Sequence, residues 1–144
     1  MPITIRDLRD DEREWADAQY RAIQFAVAPA PTVALVAALP DLADRRVGLG
    51  RLVAHGGALE LGGIWTDEAV RGRGVARAMV AALLARAERM PAAEPLWCIP
   101  FAHLTGFYES FGFVRRAPPW PPAIADKVAG IIAHGLPGVV VLAR

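Results

Sequence analysis

Ile3 to Ile5 alternates apolar and polar positions and reads as a first strand. Asp11-Glu12-Arg13-Glu14 follows as a capping-box pattern, with Asp11 at the N-cap and Glu14 three residues on. Trp15, Ala18, Ala22 and Phe25 then form an apolar stripe at three- and four-residue spacing, which predicts a helix ending near Phe25. The Pro-punctuated stretch from Val27 to Pro31 reads as a loop. Apolar runs at Thr32 to Ala38, Val47 to Ala54 and Leu59 to Thr66, separated by a turn at Pro40 to Arg45 and a hairpin turn at Gly56-Gly57, predict a meander. Gly62-Gly63 would weaken a plain strand, so a bulge or a closely approaching ligand is expected there.

The period then lengthens. Ala76 to Met90 predicts a helix with Val75, Met79, Val80, Leu83 and Ala87 along one face and Pro91 at its end. Leu96 to Ile99 reads as a buried strand closed by Pro100, Ala102 to Phe111 as a short helix stopped by Gly112, and Phe113-Val114 as a strand start. Pro118-Pro119-Trp120-Pro121-Pro122 is a stiff, extended segment. It leads into a helix from Ala123 to His134, with Ile124, Val128 and Ile131 on one side and Gly135 as its stop, and a last strand at Val139 to Leu142.

Composition narrows the function classes. At 144 residues the chain is expected to form one domain, 1–144. A hydrophobic content of 54% with a net charge of +1 points away from disorder and from nucleic-acid binding. No charged leader with an apolar core opens the sequence, and Val33 to Leu39 is too short to span a bilayer, so a soluble cytoplasmic protein with no membrane partner is expected. A single cysteine, Cys98, rules out an intramolecular disulfide, and His55, His103 and His134 show no ligand spacing, so no metal is expected. Lys127 is the one lysine among the 16 basic residues.

The chemistry concentrates at Arg71-Gly72-Arg73-Gly74-Val75-Ala76, between a strand-like run and a helical one. The first turn of a helix leaves N–H groups without partners and carries the positive end of the dipole, which together suit a diphosphate. Gly72 and Gly74 permit positive φ and remove Cβ atoms that would hold an anion away; Arg71, Arg73 and Arg77 add charge, and the small Ala76 should let the helix approach the strand. The alternative is a plain turn into a helix. A dinucleotide fingerprint would need glycine where Arg77 stands, and a P-loop would need a lysine followed by Ser or Thr.

The remaining spacing, Arg71-x-x-Gly74-x-Ala76, resembles the pyrophosphate signature of the GNAT superfamily of acyl-CoA-dependent N-acyltransferases. Tyr108-Glu109-Ser110-Phe111-Gly112-Phe113 resembles the family's Tyr-x-x-x-Gly-Phe segment. The resemblance covers most of the chain and implies an α/β (α+β) GNAT-type fold, a mixed, mostly antiparallel central sheet flanked by helices. It also implies acetyl-CoA as cosubstrate and a small-molecule or peptide amine as acceptor. The pantetheine arm would run along Ile64, Trp65 and Thr66, and the diphosphate would take N–H groups from Arg71, Gly72, Arg73, Gly74, Val75 and Ala76. Tyr108 would protonate the leaving thiolate, or would be a structural aromatic. Glu60 would be the general base, or a solvated hairpin carboxylate. The chain departs from the pattern at Glu68, where many members have proline, and at Phe101, where many have an asparagine that contacts the cofactor. The Pro-rich segment and its helix would be an insertion between the last two strands; it would wall the acceptor pocket, or pack on the sheet edge or make a homodimer contact. The rival to an enzyme is a catalytically weak or inactive CoA-binding regulatory module.

Overall fold

The computed structural model describes residues 2–23, 31–91, 95–135 and 138–144. Residues 27–30 of the expected loop, Val27 to Pro31, and Phe25 of the helical stripe lie outside them. Strands β1 (Thr4–Asp7), β2 (Val33–Leu39), β3 (Arg45–His55), β4 (Ala58–Thr66), β5 (Leu96–Cys98), β6 (Val114–Arg115) and β7 (Leu142–Ala143) alternate with helices α1 (Arg13–Ala22), α2 (Val75–Glu88), α3 (Thr105–Glu109) and α4 (Pro122–Ala133). The seven strands are mostly antiparallel, as the mixed α/β expectation requires. Contacts group the chain into two compact units, Met1–Val53 with Gly63–Pro91, and Ala54–Gly62 with Ala92–Arg144. β4 runs through both.

In the first unit, β1 pairs antiparallel with β2 from Thr4↔Ala38 to Asp7↔Leu35, and β2 pairs antiparallel with β3 with an irregularity between Ala37 and Ala38. α1 packs Ala16 and Tyr20 on Val36 and Leu49. The buried series on this side is Glu12, Ala16 and Tyr20, whereas Ala18 and Ala22 are exposed. The expected stripe is therefore misplaced. Two of the inward-facing residues are polar and are satisfied internally, which hides them from a hydropathy pattern: the Tyr20 hydroxyl donates to Gly63 O at 2.8 Å, and Glu12 is held by arginines. The capping residue also moves. A short 3-10 turn, Asp10–Glu12, precedes α1, and Glu12 rather than Glu14 accepts the Arg9 N–H at 3.0 Å.

α2 buries Val75, Met79, Val80, Leu83 and Leu84. Two glycines on β3 make room for its approach. A Cβ on Gly48 would sit 2.7 Å from Val75 Cγ1, and one on Gly50 would sit 2.7 Å from Met79 Cγ and 2.8 Å from Leu83 Cδ1. At Gly63, φ is +61° inside β4, and a Cβ would meet Arg51 Nε at 2.7 Å and the Tyr20 hydroxyl at 3.0 Å. The chain's own side chains thus account for this glycine.

In the second unit β4 pairs parallel with β5 at Leu59↔Leu96 and Glu60↔Trp97. β7 pairs antiparallel with both β5 and β6, through Trp97↔Ala143 and Val114↔Ala143. The expected strand from Val139 is shorter than the pattern suggests: Val139 makes an isolated bridge to Phe101 and the ladder proper begins at Leu142. The Pro-rich segment and α4 lie between β6 and β7 in the chain. Ile124 and Val128 of α4 pack on Ala58, Trp97, Val141 and Ala143, joined by Trp120, whose indole N–H donates to Arg116 O at 2.9 Å. Burial of two such branched side chains contributes about 1.5–3 kcal/mol each, so α4 is a packed part of this unit. Among the described residues no helix is long and apolar enough to cross a membrane.

Candidate active site

The first unit carries the candidate cradle. Gly72 and Gly74 both have φ of +82°, a backbone that residues with a Cβ adopt only at a cost. Gly74 is the N-cap of α2, no side chain caps the helix start, and the first turn holds no acidic residue. The first bond of the helix ladder is Ala78 N–H to Gly74 O at 3.0 Å, so the amides of Val75, Ala76 and Arg77 precede the internal ladder. A Cβ on Gly72 or Gly74 would meet no atom of the described residues within 4 Å, so among them the space over the bend is open. Val75 is buried and pins the helix start, while Arg71, Arg73 and Arg77 are exposed. All the elements an anion needs are therefore on one bend.

The strand leading into the bend is braced. Asp67 accepts the Ala69 N–H at 3.0 Å and the Arg45 guanidinium at 2.7 Å, and these contacts, the amide first, hold its carboxyl below the usual range. Ile64, Trp65 and Thr66 are half-buried, and Trp65 meets Trp15 edge to face at 5.8 Å. A cleft of about 660 Å³ opens here, lined by Trp15, Gln19, Arg46, Trp65, Thr66 and Arg71 among others.

The second unit carries the candidate acid and base. Tyr108 lies on α3, 5% exposed, with Phe107 and Phe113 edge to face against its ring at 5.0 and 6.0 Å. Among the described residues its hydroxyl has no hydrogen-bond partner, and no fully buried side-chain oxygen or nitrogen is left unsatisfied. The hydroxyl therefore reaches an opening. Burial, and then the neighbouring Cys98 thiol, raises the phenol well above its ordinary 10. Cys98 is itself pushed far up by burial and by the charge of Glu60, so it stays a neutral thiol.

Glu60 is not a solvated hairpin carboxylate. It is 3% exposed, and both oxygens accept from Lys127 Nζ at 2.6 Å while Oε1 also meets His55 Nε2 at 2.9 Å. Sequence reasoning misses both partners. A signal for His55 does exist: a two-residue turn at Gly56-Gly57 sets His55 opposite Ala58, which leaves Glu60 diagonal to it on the same face. Nothing in the local pattern connects Lys127, 67 positions away, to Glu60. His103 stacks on Phe101 at 6.1 Å, as a surface decoration of the turn before α3. Among the described residues no group of His, Cys, Asp and Glu could hold a metal ion.

The fold is shared with several proteins of known structure. Rv2747 of Mycobacterium tuberculosis, crystallised in complex with CoA and NLQ, aligns with a TM-score of 0.74 at 19% identity over 97% of each chain. Escherichia coli ElaA aligns with a TM-score of 0.68 at 19% identity over 99% of each. N-acetylglutamate synthase from Neisseria gonorrhoeae, complexed with coenzyme A and N-acetyl-glutamate, gives 0.75 at 12% identity, with the whole of this chain matching 35% of that one. No curated protein sequence matches significantly. The sequence does match the Acetyltransferase (GNAT) family over residues 3–113. Matched from β1 through α3, the chain belongs to the GNAT acetyltransferase family.

Proposed function

We propose that this protein transfers an acetyl group from acetyl-CoA to a primary amine of a small molecule or peptide, by direct attack of the amine on the thioester. The observation that carries the reading is the bend at Arg71 to Ala76: two positive-φ glycines deliver an uncapped helix start with no acid in its first turn and arginines around it. A diphosphate there would accept the first-turn amides and meet the dipole's positive end. Occurrence of this bend in a member of the family supports the diphosphate of CoA as its ligand.

The reaction needs a neutral amine, support for the oxyanion and a proton for the departing thiolate. A main-chain N–H from Ile64 to Thr66 is our candidate for the oxyanion. Tyr108 is our candidate acid: burial keeps the phenol protonated over the whole working range, and no described residue hydrogen-bonds its hydroxyl. The bond from carbonyl carbon to sulfur breaks as the bond to nitrogen forms, the phenol proton goes to sulfur, and the phenolate regains a proton from solvent. Glu60 and its partners lie on the base side of the scheme. We assign all of this to one acyltransferase domain, 1–144.

One observation favours the rival reading, a CoA-binding module without turnover: Lys127 already engages both oxygens of Glu60. Free-thiol release from acetyl-CoA across a panel of amines separates the two. Amine-dependent release supports the enzyme; CoA binding with no release on any amine supports the module.

A further inference from the structure

We propose that His55, oriented by Glu60 and Lys127, is the group that takes the proton from the acceptor amine, an inference that rests on the acyl-transfer reading above. Glu60 is poorly disposed to be the base itself. Its carboxylate is 4% exposed and faces an ammonium with both oxygens, so protonating it would break two contacts of 2.6 Å inside the protein. His55 stands differently. Its Nε2 lies 2.9 Å from Glu60 Oε1, and because an ionised carboxylate only accepts, Nε2 must carry the hydrogen. The Nδ1 lone pair is then left to accept, and the side chain is 28% exposed, so water reaches it.

Lys127 completes the arrangement. Among the described residues the groups facing Glu60 are His55 from β3, Lys127 from α4 and Cys98 from β5, and the thiol is neutral. Lys127 therefore supplies the counter-charge to the carboxylate, and His55 is not needed as its cation. In the step proposed, one N–H bond of the acceptor ammonium breaks, the proton passes through a bound water, and an N–H bond forms at His55 Nδ1. The imidazolium then returns the proton to solvent at its exposed edge. Glu60 and Lys127 act through His55 and are positioning residues. The sole lysine of the chain, carried on the segment inserted between β6 and β7, thus tunes a base on the β3–β4 hairpin.

The test begins on the unmodified protein. Nitrogen-15 spectra of the imidazoles, assigned with His55→Gln, should show His55 protonated at Nε2 and bare at Nδ1; the opposite tautomer overturns the proposal. Thiol release is then followed against pH with an amine that supports turnover. His55→Gln, which can still donate to Glu60, should lower kcat/KM by about 100-fold and remove the acidic limb, with CoA affinity by calorimetry unchanged. Lys127→Met should keep CoA affinity and move that limb. A folded His55→Gln with the wild-type limb and rate overturns the proposal alone. Wild-type protein that binds CoA but turns over no amine overturns the transfer reading, and this proposal with it. If His55→Gln fails to fold, two readouts remain: a hydrogen at Nδ1 in the unmodified protein, or a wild-type limb in Lys127→Met, overturns the proposal.

Discussion

Replacing Glu12 by Gln should cost the fold stability in a way that depends on pH. Glu12 is 6% exposed; it accepts from Arg6 at 2.7 and 3.0 Å, from Arg46 at 3.4 Å and from the Arg9 N–H at 3.0 Å. The Arg6 hydrogen bonds are the largest cause that lowers its carboxyl from 4.5 to about 2, and burial works against them. A gap of that size corresponds to about 3 kcal/mol of folding stability at neutral pH. The sign follows from the direction. A carboxyl depressed in the folded state contributes fully above its unfolded value near 4.5, and the contribution fades as pH falls towards 2. Gln retains some hydrogen bonding, so Glu12→Gln should lose about 2–3 kcal/mol at pH 7, about 6–10 °C in Tm for a domain of this size. Urea unfolding of both proteins at pH 7, 5, 4 and 3 measures the difference, about 2 kcal/mol of which should be gone by pH 3. A difference that stays constant across this range would refute the electrostatic account and leave only a packing effect.

Gly50→Val should destabilise the first unit by about 1–3 kcal/mol through overpacking, because its Cβ would already meet Met79 and Leu83 below 3 Å; denaturant midpoints check it, and an unchanged midpoint would show that α2 yields freely. Tyr108→Phe should lower kcat by at least about 10-fold with little change in CoA affinity, the mark of an interaction made in the transition state. Equal losses in both would instead identify Tyr108 as a packing residue.

The meander, the long helix α2 and the bend before it are legible in the sequence because their signals are local: alternation, the 3.6-residue period and paired glycines. What escapes is polar or distant. The inward side of α1 and of the turn before it contains Tyr20 and Glu12, whose partners Gly63 O, Arg6 and Arg46 lie on other elements, so an apolar stripe drawn through Ala18 and Ala22 turns the helix the wrong way. The close packing of α2 draws on room made by Gly48 and Gly50 on the facing strand, which the strand pattern does not single out. Glu60 resembles a hairpin carboxylate because both neutralising partners are invisible locally, His55 across a turn and Lys127 on a helix far along the chain. Tyr108 is singled out by its motif, and only the fold shows how deeply the ring is set between Phe107 and Phe113.

The central claim is that main-chain amides of the Arg71 to Ala76 bend hold the diphosphate of CoA. Gly74→Glu tests it by placing bulk and a negative charge over a bend whose Cβ position is now open. Calorimetric titration with CoA should show binding by the wild type and at least about a 100-fold weaker affinity in the variant, about 2.7 kcal/mol, with the far-ultraviolet spectrum of the fold retained. A folded Gly74→Glu protein that binds CoA as tightly as the wild type would contradict the account.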